Sequence, residues 1–529
     1  MRYQGVDSDP VNHGWLCDKG RFNFESVKND QRLTEPMVKH NGALVPTSWS
    51  SALSTAAGLI SQAVKDNGAQ SVAIIGGARG TNEDAYAWSL FAQALGVINV
   101  DAQLDDGLPA SVYGYSQATI DQAANATTVI LLSPDLKEEL PILYLRLRDA
   151  SEKKRSKLIE FAPKQTGITR YAWKSVAYEP GNQVAVVAST LVDATIAAQV
   201  AKGSVVVVVG RANLAEDDSF TMAALDAVMA AAPNATVLPV IRRGNVRGAI
   251  ETGLVTGSTT SILRSAAAGK INCLILLGAD PIADVRDTEL VRQAMAAVQH
   301  VIAVDTFASS SSQRADVLLP AAAFGEKDGT TTNLEGRVTQ LNRKVNVHGT
   351  ARPDWMIALE LADYLGHDLG VGSVQEVHQQ LVNKVAAFGD ATRAALAVNP
   401  DGVLLRRSNG HSSAASSPAV PDRPGFGYRL VVSRKLYDNG SNVAHSASLA
   451  PLAPGSSLHM HPLDLDRLGA AVGAQVKVSS DRTSIVMPIV ADESVTRGTV
   501  WAAWAQSGAN IGELIDSSRS VNDVKVETL

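Results

Sequence analysis

Short, uninterrupted apolar runs rich in β-branched residues recur along this chain and alternate with helical segments. This pattern is typical of parallel sheets covered by helices on both faces, because a strand buried on both sides has no polar face. The predicted strands of this kind are 71–75, 127–132, 157–161, 205–209, 273–277, 301–304 and 317–319. They are too many for one sheet, so we expect an α/β fold with two intertwined lobes.

The composition excludes several classes of protein. The 529 residues are too many for one hydrophobic core, and 45% hydrophobic and 19% charged residues are ordinary for a soluble globular protein. A net charge of −6 argues against a nucleic-acid partner, and the one basic cluster, Lys153-Lys154-Arg155, is interpreted as a solvated helix end. Two separated cysteines indicate a reducing compartment. No apolar stretch reaches the roughly 18 residues of a membrane span, so a membrane role would depend on partners.

The last quarter of the chain has a different pattern. Residues 407–425 are rich in Ser, Pro and Gly and predict a linker. Shorter strands follow, at 429–433, 475–479, 484–490, 499–504 and 524–526, with one short helix over 464–468 that Asp464 is expected to cap and Gly469 to end. These elements predict a small β-barrel.

Cys17 lies in the run Cys17-Asp18-Lys19-Gly20-Arg21-Phe22, and Cys273 lies in an apolar run typical of a core residue. A cubane iron–sulfur cluster needs four thiolates, and one cannot hold it. Two interpretations are open. Either the chain is an N-terminally shortened piece of a larger redox subunit, or no cluster is bound.

Two segments carry a family resemblance. One is the Cys17 run. The other begins at Asp305-Thr306-Phe307, continues through Arg314-Ala315-Asp316-Val317-Leu318-Leu319-Pro320 and Glu326-Lys327-Asp328-Gly329-Thr330, and ends at Asn333-Leu334-Glu335-Gly336-Arg337. Together they resemble the molybdopterin oxidoreductase superfamily, and the nearest branch is similar to the G subunit of bacterial NADH–quinone oxidoreductase, respiratory complex I.

The resemblance implies a domain order and a role. It implies a remnant of a [4Fe-4S] cluster domain over 1–45, α/β lobes like those of formate dehydrogenase and dimethylsulfoxide reductase over 46–406, and a barrel similar to a molybdopterin dinucleotide-binding domain over 426–529. The complex would pass electrons from NADH through iron–sulfur clusters to a quinone and translocate protons. The chain would join other peripheral-arm subunits on the cytoplasmic side of the plasma membrane and supply no catalytic residue itself.

The resemblance also implies cofactor residues. Cys17 would be the fourth ligand of a [4Fe-4S] cluster, with the other three ligands absent here, and Lys19 would lie near that cluster. Molybdenum-binding relatives carry a Cys, selenocysteine or Ser ligand shortly after the first α/β unit, whereas residues 99–109 contain no thiol or hydroxyl. We therefore expect molybdopterin to be unlikely.

Two alternatives to this role stay open. One is a molybdopterin-dependent enzyme of the formate dehydrogenase type, with Asp105 or Asp106 on the metal. The other is a non-catalytic truncated paralogue that never joins the complex.

Further residues have local interpretations. Asp305 follows a strand and would lie at its carboxyl end, where open α/β sheets bind ligands. Glu326, Asn333, Glu335 and Arg337 could line a polar cleft or brace one another. Gly76-Gly77-Ala78-Arg79-Gly80 precedes a helix predicted over 82–95 and matches no phosphate-loop motif, so a tight turn is expected. His459 and His461 could share one strand face as a metal pair, but a structural role is favoured.

Overall fold

The computed structural model describes residues 2–406, 418–425 and 427–529, and it confirms the α/β fold. The chain forms two compact units. We call Ser26–Asp105 with Arg242–Ser408 the seven-strand unit, and Met1–Glu25 with Asp106–Ile241 and Asn409–Leu529 the barrel unit. Because each unit is assembled from separated segments, the two lobes intertwine along the chain, as predicted. The predicted linker 407–425 lies largely outside the described residues.

The strands are numbered in chain order. They are β1 Met37–His40, β2 Ala43–Pro46, β3 Val72–Gly76, β4 Asn99–Asp101, β5 Thr128–Leu132, β6 Lys157–Ala162, β7 Lys174–Ala177, β8 Val205–Val209, β9 Thr236–Pro239, β10 Cys273–Leu277, β11 His300–Asp305, β12 Val317–Pro320, β13 Gly329–Thr332, β14 Arg337–Leu341, β15 Val403–Leu404, β16 Tyr428–Ser433, β17 Leu458–Met460, β18 Gln475–Ser479, β19 Ser484–Ala491, β20 Thr499–Ala503 and β21 Asp523–Thr528.

The α-helices are numbered in the same way. They are α1 Asp18–Phe22, α2 Phe24–Val27, α3 Trp49–Asn67, α4 Asn82–Leu95, α5 Ile120–Asn125, α6 Leu136–Glu139, α7 Pro141–Glu152, α8 Gln183–Leu191, α9 Ala194–Val200, α10 Asp218–Ala231, α11 Val246–Glu251, α12 Thr259–Ala267, α13 Pro281–Asp284, α14 Thr288–Ala297, α15 Asp354–Tyr364, α16 Val374–Lys384, α17 Arg393–Val398, α18 Ser441–Ala444 and α19 Pro462–Leu468.

The seven-strand unit is built on a sheet with the order β2-β1-β12-β11-β10-β3-β4. The strands from β12 to β4 run parallel, and β1 pairs antiparallel with β12. Leu274, Leu276, Ala303 and Leu318 from these strands share one core cluster with residues of α12 and α14. A smaller antiparallel sheet, β13-β14-β15, completes the strands of this unit among the described residues. This explains the unbroken apolar runs, because both faces of the parallel strands are covered.

The barrel unit contains a five-stranded parallel sheet, β7-β6-β5-β8-β9, and a closed barrel, β16-β20-β17-β19-β18-β21. The predicted barrel is thereby confirmed. Strands β18 and β19 are joined by a turn, since Ser479 pairs with Ser484 across an antiparallel ladder. Leu214 and Ala215 from the loop after β8 pack into the barrel core, and the Leu214 N–H donates to the Val432 carbonyl at 2.8 Å.

One local prediction in the barrel was wrong, and one strand was not predicted. Helix α19 begins at Pro462, and its N-cap is His461, whose side chain accepts the Leu463 N–H at 3.2 Å; Asp464 is therefore not the cap. Sequence patterns also missed β17, which has only three residues. Gly469 does end α19 in the left-handed conformation, as predicted.

No single helix among the described residues has the length and apolarity needed to cross a membrane. Two consecutive helices, α8 and α9, together have that length and apolarity, but they are bent by 83° at the break between them.

The parallel core provides a test of the fold. Leu318 on β12 is 1% exposed and belongs to the core cluster. Leu318→Ala should lower the free energy of unfolding of the seven-strand unit by about 2–5 kcal/mol, because it removes buried methyl groups and leaves a cavity. Ile98→Ala, at a position 65% exposed in the same unit, should change it by less than about 0.5 kcal/mol. Urea titration of both variants measures the difference, and equal losses would contradict the placement of Leu318.

Candidate cofactor-binding sites

Three neighbouring parallel strands of the seven-strand unit end at one edge. The register pairs Gly76 with Leu277 across β3 and β10, and Leu277 with Val304 across β10 and β11. The loops that follow these strands therefore leave the sheet side by side. Ligands of open α/β sheets bind at this edge, so we describe it as the first candidate site.

Glycines allow the loops at this edge to pack closely. Gly76 and Gly77 have φ values of +108° and +98°, and a Cβ on Gly76 would lie 2.2 Å from the Leu277 carbonyl oxygen. The expected tight turn before α4 is thus confirmed. Gly278 also has a positive φ, +55°, but a Cβ there would meet only the Arg79 Cδ, at 4.0 Å. The space over Gly278, next to Arg79, is therefore open.

Two buried carboxyl groups organise the loops. Asp280 accepts hydrogen bonds from the Ser310 and Ser311 N–H groups at 3.1 and 3.0 Å and from the Ser311 hydroxyl at 2.5 Å. Asp305 lies at the end of β11, is 7% exposed, and accepts the Thr306 N–H at 2.7 Å. Burial raises the pKa of both groups, that of Asp305 to about 7 despite the opposing charge of Arg79.

The five-stranded sheet of the barrel unit has the same arrangement at its own carboxyl edge, which is the second candidate site. Asp135 follows β5 as Asp280 follows β10, and its carboxylate accepts N–H groups from Lys137 at 3.0 Å and from Gly167, in the loop after β6, at 3.1 Å. Burial raises the pKa of Asp135 as well. Each unit therefore ties two adjacent carboxyl-edge loops together through one aspartate.

Cations and an aromatic ring lie beside this second site. Lys164, in the loop after β6, has its Nζ 4.7 Å from the centroid of the Trp501 ring, and the Lys435 Nζ is 5.4 Å from the same centroid. Burial lowers the pKa of Lys164. His459 packs edge-on against Trp501 and bonds Asp492 through Nδ1 at 2.9 Å. Trp501 is itself 3% exposed, and the Lys435 ammonium group forms an ion pair with Glu138 at 3.1 Å. Lys164 is therefore the cation at this site that best suits an anionic ligand.

Cys17 and Lys19 are the two residues that the resemblance places at an iron–sulfur cluster. Cys17 is the half-buried N-cap residue of α1, without a side-chain capping bond. Lys19 forms an ion pair with Asp438 at 3.6 Å. No group of three or more His, Cys, Asp and Glu side chains among the described residues is arranged to hold a metal ion. The proposed roles of Cys17 and Lys19 near a cluster stay predictions.

The polar segment that follows β12, through β13 to the start of β14, is braced by contacts of its own side chains. The Glu335 carboxylate accepts the Arg337 Nε at 2.5 Å, and the Asn333 side chain accepts the N–H groups of both residues. Glu326 forms a buried ion pair with Arg32 at 2.8 Å. These contacts agree with the bracing interpretation of Glu335 and Arg337.

The other sequence candidates also have partners. Asp105 pairs with Arg286, and Asp106 pairs with Arg434, each at 2.7 Å and largely buried. His459 lies on β17 whereas His461 caps α19, so they do not share a strand face. Cys273 is fully buried, which raises the pKa of its thiol to about 12 and confirms its core role.

Sequence reasoning missed Asp135, Lys164, Asp280 and Trp501. The first three had a usable signal, since each follows an apolar strand within one to three residues, at the position where parallel strands present ligand loops. Trp501 had none, because its proximity to Lys164 depends on how the barrel closes.

Comparison with known proteins identifies the family. Residues 32–364 match the molybdopterin oxidoreductase family, and residues 428–526 match the molydopterin dinucleotide binding domain. The chain belongs to the molybdopterin oxidoreductase family. It is 27% identical to the NADPH-Fe(3+) oxidoreductase subunit alpha of Geobacter sulfurreducens, over 98% of this chain and 71% of that protein.

Further relatives carry different names. The chain is 28% identical to the G subunit of NADH-quinone oxidoreductase from Mycobacterium tuberculosis, over 97% of this chain and 66% of that protein. It is 24% identical to the F420-dependent formate dehydrogenase 1 subunit alpha of Methanococcus maripaludis, over 95% and 91%. The fold of acetylene hydratase from Pelobacter acetylenicus superposes with a TM-score of 0.72 at 13% identity, covering 100% of this chain and 98% of that one.

The family match corrects one prediction. Molybdopterin was expected to be unlikely because residues 99–109 lack a thiol or hydroxyl, but both matched families point to a molybdopterin cofactor. The missing side chain bears only on the metal, whereas the pterin and its nucleotide are held by other parts of a site. The prediction was wrong because it inferred the whole cofactor from one ligand.

The residues present at each site fit the nucleotide part of such a cofactor. In the seven-strand unit, Gly278 has open space beside the Arg79 guanidinium, and in the barrel unit Lys164 and Lys435 lie over Trp501. Phosphate oxygens suit these cations. These are the residues that would hold nucleotide groups in their own unit, and the bound cofactor would supply the redox chemistry.

Lys164 provides a test of this fit. Lys164→Ala should lower the amount of pterin retained by protein purified from a host that makes the cofactor about tenfold, because one charge-assisted contact is lost. Lys477→Ala, at an exposed position of β18, should retain the wild-type amount. Fluorescence of the oxidised pterin measures both, and equal retention would exclude Lys164 from the site.

Asp305 provides a pH test. Its pKa is raised in the folded state, so the folded protein binds this proton more tightly than the unfolded chain. The free energy of unfolding should therefore fall as pH rises from about 4 to about 7, with a slope of up to about 1.4 kcal/mol per pH unit, and no further above 7. Asp305→Asn should flatten this part of the profile, whereas Asp466→Asn, at an exposed position, should not. Chemical denaturation at several pH values measures both, and parallel profiles for wild type and Asp305→Asn would contradict the burial argument.

Proposed function

We propose that this chain is the molybdopterin-family subunit of a multisubunit oxidoreductase similar to NADH-quinone oxidoreductase, with a role like that of the G subunit. Other subunits would pass electrons from NADH through iron–sulfur clusters to a quinone, in a peripheral assembly on the cytoplasmic side of the plasma membrane. Several relatives that match almost the whole chain are named as subunits, which supports assembly with partners.

One observation favours this subunit role over a catalytic role for the chain itself. Residues 99–109 contain no thiol or hydroxyl, and two of their carboxylates, Asp105 and Asp106, are largely buried in ion pairs with Arg286 and Arg434. Removing a carboxylate from a buried arginine leaves an uncompensated charge and costs about 3–5 kcal/mol. Neither side chain is therefore readily available to a metal or substrate. This supports a role in which the chain contributes surfaces for binding and for docking on other subunits, and no catalytic residue.

A second candidate function is a molybdopterin-dependent dehydrogenase of the formate dehydrogenase type. The observation that favours it is the match of both domains to molybdopterin families, together with formate dehydrogenase relatives over 94–95% of the chain. In that case Asp105 or Asp106 would have to exchange its arginine for the metal.

Isosteric variants separate the two candidates. Asp106→Asn, in complex purified from the native source, should leave NADH-driven quinone reduction within about twofold of wild type, and formate should drive no reduction in either protein. A dehydrogenase that uses Asp106 on its metal would instead oxidise formate and lose that activity about a hundredfold or more in the variant. Asp105→Asn is tested in parallel. Circular dichroism confirms folding, because each change leaves an arginine without its carboxylate.

A further inference from the structure

The lateral edge of the five-stranded sheet is a separate surface, away from the carboxyl edge described above. Strand β7 is the last strand of this sheet and pairs only with β6 among the described residues. A cavity of about 730 Å³ runs along it, lined by all of β7, by Trp173, and by five residues of and between α8 and α9: Ser189, Thr190, Asp193, Thr195 and Ile196.

The outer backbone groups of β7 are open to pairing. The Tyr178 N–H donates to the Ala162 carbonyl of β6 at 3.2 Å. In a parallel ladder, alternate residues bond the same neighbour, so Lys174 and Val176 also face β6, while the N–H and C=O groups of Ser175 and Ala177 face the cavity. Both of these residues are exposed. An edge of this kind is a template for one further strand.

The facing wall suits the close approach of another backbone. Four of its five residues, Ser189, Thr190, Thr195 and Ile196, are small or β-branched and uncharged. The fifth, Asp193, accepts the N–H groups of Thr195 and Ile196 as the N-cap of α9. Val192, between the helices, is 81% exposed. Short side chains leave room for a chain at the strand spacing of about 4.8 Å, and the apolar ones gain from being covered.

The charges at the start of β7 indicate the chemistry of the segment that would bind there. Lys157 places its Nζ 4.2 Å from the centroid of the Trp173 ring, and Lys174 begins β7 immediately after Trp173. Neither ammonium group has a carboxylate within 4.0 Å in the part of the chain that the structure describes. Two lysines without acidic partners, one over the ring of a tryptophan that is 38% exposed and one at the start of β7, complement an acidic side chain.

We propose that β7 is a docking site for an extended segment of a partner polypeptide, which adds to the sheet as a sixth strand and places an Asp or Glu beside Lys157 and Lys174. The four residues of β7 span about 13 Å, so the segment pairs over four or five residues. The partner chain supplies main-chain hydrogen bonds to Ser175 and Ala177. This inference concerns the partner's chemistry and holds for either candidate function.

The test uses the full chain, tagged and purified with its partners from the native source. Ala177→Pro removes an outward N–H, which an edge strand tolerates, and should lower the amount of co-purified partner about tenfold. Ala177→Ser keeps the N–H and should stay within about twofold. Lys174→Glu should lower recovery at least threefold, and Lys174→Arg should not; this charge pair keeps the test valid if Ala177→Pro fails to fold.

Hydrogen exchange and cross-linking identify what covers the strand. In the complex, the Ser175 and Ala177 amides should exchange at least tenfold more slowly than in the isolated chain, and a photo-crosslinker at position 177 should join a partner segment that contains Asp or Glu. Unchanged exchange in the complex, purification without any partner, or cross-links only to lipid or to a second copy of this chain would each overturn the proposal. The failure of the proposed oxidoreductase activity would leave these results unaffected.

Discussion

Parallel pairing of predominantly apolar strands is the constraint on which the rest of the structure depends. In the seven-strand unit, β3, β10 and β11 pair in one continuous parallel register, and in the barrel unit β6, β5 and β8 do the same. Parallel strands point every carboxyl end to one edge. The loops that carry Arg79, Asp280 and Lys164 therefore each reach the carboxyl edge of their own sheet without any contact of their own to bring them there.

One aspartate, buried in the case of Asp280 and half-buried in the case of Asp135, then fixes each pair of loops. Asp280 and Asp135 hold their neighbours through backbone N–H donors, and for both groups burial pushes the pKa up while those donors pull it down. A hydrogen-bonded carboxylate is stable in such a place only because the donors replace water. The arrangement stabilises the loops around a ligand space, and it shows why the same Asp position recurs after β5 and after β10.

The sequence was sufficient for the fold and insufficient for the sites. Apolar runs located the central parallel strands β3, β10, β11 and β12 of one sheet and β5, β6 and β8 of the other, but not the edge strand β4. Burial on both faces leaves a pattern that needs no tertiary information. Short β7, β9 and β17 gave no such pattern. Site contacts such as Lys164 with Trp501 join positions more than 300 residues apart, so they depend on barrel closure. The absence of one metal ligand was also taken as evidence against the pterin, although it bears only on the metal.

The carboxyl edge and the lateral edge of the five-stranded sheet suit different kinds of ligand for a physical reason. Its carboxyl edge gathers side chains from loops, so it can bind a small ligand with specific charges. Its lateral edge, β7, offers backbone groups in a row, which only another extended chain can satisfy in full. A subunit that both holds a cofactor and docks on a partner can therefore use one sheet for both tasks. The strands between the two edges, with Phe161 and Val129 fully buried, give them a common rigid support.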